Sequence, residues 1–387
     1  MKRYGNIIGW GKYVPSRVIT NADLEKTLDT NNEWIVARTG IHERRIVNEG
    51  ETTSQMSIAA ARDALKVAGI RPKDLDLIIV ATSTPDYLTP PVSSLIQHGL
   101  GAKNVGAFTL VTGCTGFVYA LATAQQFIAS GAYQTILVIG AELLSRFIDW
   151  SDRTTCVLFG DGAGAVIMQA TDTPSGVLAH VLGSDGARGG HLILPAGGSS
   201  NPPSHETLDK EMHTIRMNGR EVFKFATRIL GKTLRQVIKQ AGLETDDIDL
   251  FIPHQANARI IKSAARSAGL PPKKVFVNIH KYGNTSAASI PIALCEAFEE
   301  GRAKAGDTLA LIAFGAGLTW ASAIVKIVEH KKPAPKRWWQ YLLPKRLFPA
   351  VRKSVHAFAG GHPTTQTTQL PHLPPAANQQ RQPDQRR

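Results

Sequence analysis

The sequence predicts an α/β fold built from two similar halves, on three observations. Short apolar or β-branched runs at 77–82, 107–111, 135–139, 250–253, 275–279 and 308–313 read as buried strands. Segments of helical periodicity alternate with them, at 54–68, 115–130, 221–241, 256–268 and 287–300. That alternation argues for largely parallel sheets covered on both faces. Finally, 68–81 (AGIRPKDLDLIIVA) aligns without gaps to 241–254 (AGLETDDIDLFIPH), matching at Ala, Gly, two Asp, Leu and Ile. Both copies continue in the same order, through a strand, a Gly-containing turn, a helix and another strand. Two copies at a period near 170 describe a duplicated unit rather than a solenoid. The boundary falls in the turn-rich stretch 171–176, giving halves at 1–172 and 173–330.

Composition narrows the class. The chain has 387 residues, 43% of them hydrophobic and 19% charged, which suits a folded globular protein and excludes a collagen-like or coiled-coil chain. No apolar run is long enough to span a bilayer. Met1–Gly5 carries two cations with no apolar stretch behind them, so no secretory signal is expected. Cys114, Cys156 and Cys295 are too few and too scattered for a disulfide framework or a zinc site. The expected location is the cytoplasm, without a metal.

The net charge of +13 is concentrated at one end. Residues 331–387 hold 11 of the 44 Lys and Arg and one of the 31 acids, a net +10, leaving +3 for residues 1–330. The body is near neutral, so nucleic acid is not an expected partner. The stretch 336–353 interleaves cations with Trp, Tyr, Leu and Phe, a pattern suited to weak association with an anionic membrane surface. A protein partner such as the carrier protein, nucleic acid as the least expected partner, or no function is also compatible with it. Residues 360–387 are polar and rich in Pro and Gln, a composition expected to be disordered.

Three residues stand out for chemistry. Cys114 lies in Thr112-Gly113-Cys114-Thr115-Gly116, between a buried strand and a helix. The helix N-terminus is expected to favour the thiolate and lower the thiol pKa. Cys156 and Cys295 lack such a setting and read as core. His254 closes a strand at the position of Ala81 in the first copy, and strand ends of α/β sheets face ligand crevices. Asn284 sits in the turn that echoes the Cys114 turn, although Asn is also a common helix cap. A thiol with two hydrogen-bond donors suits a thioester-forming nucleophile. The Gly-rich stretch 314–320 (FGAGLTW) follows a strand and has no phosphate-cradle signature. Its backbone N–H groups are candidates for an oxyanion hole. Phe159–Gly164 reads as a tight structural turn.

These residues resemble β-ketoacyl-[acyl-carrier-protein] synthase III, a condensing enzyme of the thiolase superfamily, from about residue 4 to 327. The resemblance is carried by 29–46, 112–120 (TGCTGFVYA), 152–166, 253–261 (PHQANARII), 283–291 (GNTSAASIP) and 314–320. It implies a thiolase-like, five-layered αβαβα fold, a homodimer and a decarboxylative Claisen condensation without a cofactor. Cys114 would take an acyl group from an acyl-coenzyme A primer, and His254 and Asn284 would stabilise the enolate of malonyl-acyl-carrier-protein. The N–H groups of Cys114 and Ala316 would form the oxyanion hole. Trp34 and Arg153 would sandwich the adenine, and Arg38 would meet the phosphates. Lys224, Arg259 and Arg266, joined by Lys262, would present a basic rim to the carrier protein. Thr89, on a loop reaching across the dimer, and Phe314 would shape the acyl pocket. A smaller Thr89 where some members carry Phe would admit a branched or longer primer. The rival readings are a relative of secondary metabolism with another acceptor, and a membrane-recruited binding protein without catalysis. The tail is a departure from the family pattern.

Overall fold

The computed structural model describes residues 3–330, so the expectations for the 331–387 tail lie outside the described residues. Two sheets form its frame. The first has five strands in the order Tyr4–Tyr13, Gly162–Thr171, Thr135–Glu142, Leu77–Ala81, Gly106–Leu110. The second has four, Leu250–Pro253, Thr308–Gly315, Thr319–Lys326 and Gly176–Ser184. Between the sheets lie helices Gly116–Ala129 and Ser289–Glu299, whose Leu121, Ile128, Ile290 and Leu294 join apolar side chains of both sheets in one core. Helices Thr53–Ala68 and Val92–Leu100 cover the outer face of the first sheet. Gly219–Gln240 and Ala258–Ser267 cover the second. This is a five-layered αβαβα architecture, as the family resemblance implies.

The echo between 68–81 and 241–254 has a physical reading at its matched residues. Gly69 and Gly242 follow helices in left-handed backbone, at φ 70° and 72°, where a side chain would be strained. Asp74 and Asp247 accept from the backbone N–H of Arg71 and Glu244, closing equivalent single turns. Asp76 and Asp249 accept from Thr135 N and Thr308 N, clamping each strand to its neighbour at 2.9 and 2.7 Å. Leu77 with Ile79, and Leu250 with Ile252, enter the shared central core.

Two expectations need correction. The sheets are mixed rather than largely parallel. Leu77–Ala81 runs parallel to both its neighbours and Leu250–Pro253 to Thr308–Gly315, while the four other pairings within the two sheets are antiparallel. Residues 275–279 form no strand. The chain makes one bridge, Phe251 to Val275, and then turns into the short helix Ile279–Tyr282. The buried Gln255 takes that segment's backbone groups: its Oε1 accepts from Asn278 N and Ile279 N, and its Nε2 donates to Phe276 O.

Candidate active site

Strand Gly106–Leu110 leads into a single 3₁₀ turn, Gly113–Thr115, and then the central helix, so Cys114 sits at the helix entrance with 9% of its surface exposed. The neighbouring strand end packs directly on it. A Cβ on Gly315 would lie 2.6 Å from Cys114 N and 3.1 Å from its Cβ, which is why glycine stands there. Ala316 N lies on the same side, 3.0 Å from where a Cβ of Gly113 would sit.

The thiol itself departs from expectation. Burial pushes Cys114 up to about 12, and the Glu142 carboxylate adds to that; a hydrogen bond with Ser286 pulls the other way. Desolvation therefore outweighs the helix terminus, and the resting residue is a thiol. Cys156 and Cys295 are buried in the core as read, though Cys156 lies in a turn rather than a strand.

His254 follows the strand Leu250–Pro253 and is buried. Desolvation alone holds it neutral, with its pKa pushed down to about 3. Nδ1 lies 2.6 Å from Ser289 Oγ, which also accepts from Gln255 N at 3.4 Å. In the tautomer in which Ser289 Oγ donates to Nδ1, the ring hydrogen sits on Nε2. Nε2 has no partner within the protein. Its ring meets Phe314 edge to face, with centroids 5.5 Å apart. Asn284 Oδ1 is held by Ser286 N at 2.8 Å, and Asn284 N donates to Leu158 O, leaving the side-chain NH₂ for the site. Phe159 pairs with Asn284 in a β-bridge, so the stretch read as a tight turn also positions a site residue, and its Gly162–Gly164 already belong to a strand rather than a turn.

Cys114, His254, Asn284 and Phe314 line one cavity of about 910 Å³, which opens past Trp34 and Arg38. Trp34 lies on helix Asn32–Thr39, capped by Asn31 and tied to the His254 loop by Asn257 Nδ2 donating to Arg38 O. Arg38 and Arg153 both approach the Trp34 ring, at 4.9 and 5.6 Å from its centroid. Asp29 pairs with Arg153 at 2.9 Å. Lys224 and Arg259 line the mouth, while the exposed Lys262 and Arg266 continue along the Arg259 helix outside it. Thr89 is exposed on the loop 82–91 and does not line the cavity of its own chain; its neighbours Tyr87 and Leu88 are 61% and 89% exposed.

Sequence reasoning missed several residues. Arg216 and Arg220 add cations to the cavity wall, just ahead of and within the helix capped by Asn218. Ser286, Ser289 and Gln255 fall in stretches the sequence reading quoted, but nothing in their spacing shows what they bond. Glu142 ends a strand that is apolar after its first residue, Thr135, and a lone acid there was the available signal. Among the described residues, no group of three or more His, Cys, Asp or Glu is placed to hold a metal ion. Among them also, no helix is long and apolar enough to cross a membrane.

A cysteine at the entrance of a central helix, sharing one cavity with a His and an Asn in an αβαβα fold, defines the class as a thiolase-like condensing acyltransferase. The chain belongs to the 3-oxoacyl-[acyl-carrier-protein] synthase III family. The family model for that synthase matches residues 108–186, and the one for its C-terminal part matches 238–327. The chain is 52% identical over 320 residues to the beta-ketoacyl-[acyl-carrier-protein] synthase III of Caldanaerobacter subterraneus subsp. tengcongensis, covering 83% of this chain and 97% of that one. Among solved structures, the 3-oxoacyl-[acyl-carrier-protein] synthase III of Aquifex aeolicus matches with a TM-score of 0.77 at 48% identity, over 83% of this chain and 99% of its own. The priming β-ketosynthase of the R1128 polyketide pathway matches with a TM-score of 0.79 at 35% identity, over 86% of this chain and 98% of its own.

Proposed function

We propose that this enzyme starts fatty acid synthesis by condensing an acyl-coenzyme A primer with malonyl-acyl-carrier-protein, through an acyl thioester on Cys114. One observation carries the residue roles. A thiol, a neutral imidazole whose Nε2 has no protein partner and a fixed carboxamide meet in one cavity whose mouth is aromatic and basic. Neutral donors suit the second half-reaction. Malonyl decarboxylation leaves an enolate, and His254 Nε2–H and Asn284 NH₂ donate to its oxygen without quenching the carbanion with an acidic proton. Each such donor lowers the barrier by about 3 kcal/mol. The N–H groups of Cys114 and Ala316 serve the tetrahedral adduct on the cysteine. Decarboxylation supplies the carbanion, so no metal or redox cofactor enters this scheme.

Trp34 and Arg153 take the adenine between them, and Arg38 meets the phosphates. A stacked ring needs roughly 7 Å between its two faces' partners. Arg153, now 5.6 Å from the Trp34 centroid, therefore swings outward on its Asp29 tether as coenzyme A enters. Lys224, Arg259, Lys262 and Arg266 form the rim for the acidic carrier protein. The working unit is a cytoplasmic homodimer of chains each folded as halves 1–172 and 173–330. In it, the Tyr87–Pro91 loop enters the partner's acyl pocket, and Thr89 leaves room for a branched or longer primer.

The 52% identity to a β-ketoacyl-[acyl-carrier-protein] synthase III, against 35% to the polyketide priming enzyme, favours this reading over a role in secondary metabolism. The test offers malonyl-acyl-carrier-protein with a panel of acyl-coenzyme A primers and follows 3-oxoacyl product and carbon dioxide. Product that requires both substrates supports the reading. Condensation with a different acceptor but not with malonyl-acyl-carrier-protein would overturn it, and a strong preference for acetyl would overturn the pocket assignment alone.

A further inference from the structure

The condensation scheme leaves one step without a partner: the destination of the Cys114 proton. His254 does not receive it. Its Nδ1 is engaged by Ser289, and in the proposed scheme its Nε2 keeps its hydrogen for the enolate. On the other side of the cysteine stands Ser286, on the turn Ser286–Ala288 that packs against Gly113–Thr115, and its hydroxyl acts electrostatically on the thiol. Ser286 holds φ +48°, a left-handed conformation that residues other than glycine seldom adopt. The Asn284 carboxamide keeps it there by accepting from Ser286 N. In that conformation the Ser286 hydroxyl donates to Glu142 Oε1 at 3.1 Å. With its proton on the carboxylate, Ser286 Oγ is open to accept from the thiol.

Glu142 is fully buried at the end of strand Thr135–Glu142. The groups facing its carboxyl are all donors: Ser83 N, the Thr82 and Thr84 hydroxyls, and Ser286. None of these partners is a cation, and the ionisable group beyond Ser286 is Cys114 itself. Burial raises the Glu142 pKa to about 7, with the four donors opposing, so it accepts and releases a proton in the working range.

We infer that Ser286 and Glu142 form a relay that takes the Cys114 proton during acyl loading and returns it to the departing coenzyme A. The Cys114 sulfur attacks the primer carbonyl, forming the new C–S bond. The thiol proton passes to Ser286 Oγ as the Ser286 proton passes to Glu142. The oxyanion then collapses, the C–S bond to coenzyme A breaks, and its thiolate takes the proton back through Ser286. Glu142 ends as the carboxylate it began as, so the proton count closes without a co-reactant.

This inference rests on Cys114 being the acyl acceptor, and the test separates the two. Single-turnover loading from an acyl-coenzyme A is measured against pH for wild type, Glu142→Gln and Ser286→Gly. The glycine removes the hydroxyl while suiting the left-handed backbone. Decarboxylation of malonyl-acyl-carrier-protein, in a Cys114→Ala background, is the second readout. Wild-type loading is expected to rise with pH through an inflexion near 7. Both variants are expected to load about 100-fold more slowly and to lose that inflexion, with decarboxylation changed by less than about threefold. Either variant loading at the wild-type rate, keeping the inflexion, or losing both half-reactions alike would overturn the relay. A wild-type enzyme that takes no acyl group from any primer would remove the acyl-acceptor reading, and the relay with it.

Discussion

Replacing Ser289 with Ala removes the hydroxyl that lies 2.6 Å from His254 Nδ1 and that, in the proposed mechanism, donates to it and keeps the hydrogen on Nε2. Without it, the buried neutral ring has no acceptor-side partner, and the Nδ1–H form competes with the Nε2–H form that points a donor at the enolate. Losing a buried hydrogen bond of this kind costs about 1–3 kcal/mol. Losing an oxyanion donor outright costs about 3 kcal/mol. At about 1.4 kcal/mol per tenfold, the expected drop in malonyl decarboxylation and in overall kcat is roughly 10- to 100-fold. The Cys114 loading step uses Ser286 rather than Ser289, so it is expected to stay within about threefold. The assay measures the two half-reactions separately, as burst loading from acyl-coenzyme A and as carbon dioxide release from malonyl-acyl-carrier-protein. Unchanged decarboxylation would refute the tautomer argument. An equal fall in both half-reactions would show that Ser289 matters for packing only.

Three further outcomes follow from the geometry. His254 stays neutral in the folded state down to about pH 3, whereas the unfolded chain protonates it below about 6.5. Its contribution to stability is thus complete above 6.5 and is lost as pH falls toward 3, at up to about 1.4 kcal/mol per unit. Urea unfolding of wild type should therefore lose about 2 kcal/mol more than His254→Asn between pH 7 and 5, and parallel pH profiles would contradict this. Gly315→Ala would set a methyl 2.6 Å from a backbone nitrogen that cannot yield, so about 1–3 kcal/mol of stability and most Cys114 loading should be lost, read by thermal melting and adduct formation. Trp34→Ala should raise KM for acyl-coenzyme A about 5- to 100-fold with little change in kcat, the value of a base stacked on an aromatic face. A kcat loss with unchanged KM would instead place Trp34 in the chemistry.

The legible parts of this fold are those where local chemistry and tertiary role coincide. The buried strands 77–81, 135–142 and 308–315 are apolar because both faces are covered, and the duplicated Ala-Gly and Asp positions mark caps and clamps that recur in space. Cys114, His254 and Asn284 were readable because each follows a strand end or turn. The antiparallel strand Tyr4–Tyr13 was not. Its Gly9 and Gly11 weaken any β pattern, yet a Cβ at either would lie 2.3 Å from the carbonyl oxygens of Ala64 and Ala60. Helix Thr53–Ala68 packs that closely on it. The 275–279 run has strand composition, but Gln255 claims the amides of Asn278 and Ile279 from 23 and 24 residues away. The Cys114 pKa was misjudged for a similar reason, since a turn sequence shows the helix terminus and not the depth of burial or Glu142 behind it. Ser286 carries no sign of its positive φ in the sequence, because serine is an ordinary residue there until the backbone is seen.

The central claim is that Cys114 carries the acyl group, and intact-protein mass spectrometry tests it most directly. Wild type and Cys114→Ala are incubated with a panel of acyl-coenzyme A primers. The account predicts one added acyl mass per chain in wild type and none in the variant, with the best-loaded chain naming the primer. An adduct that persists in Cys114→Ala, or a wild type that stays unmodified with every primer, would contradict it.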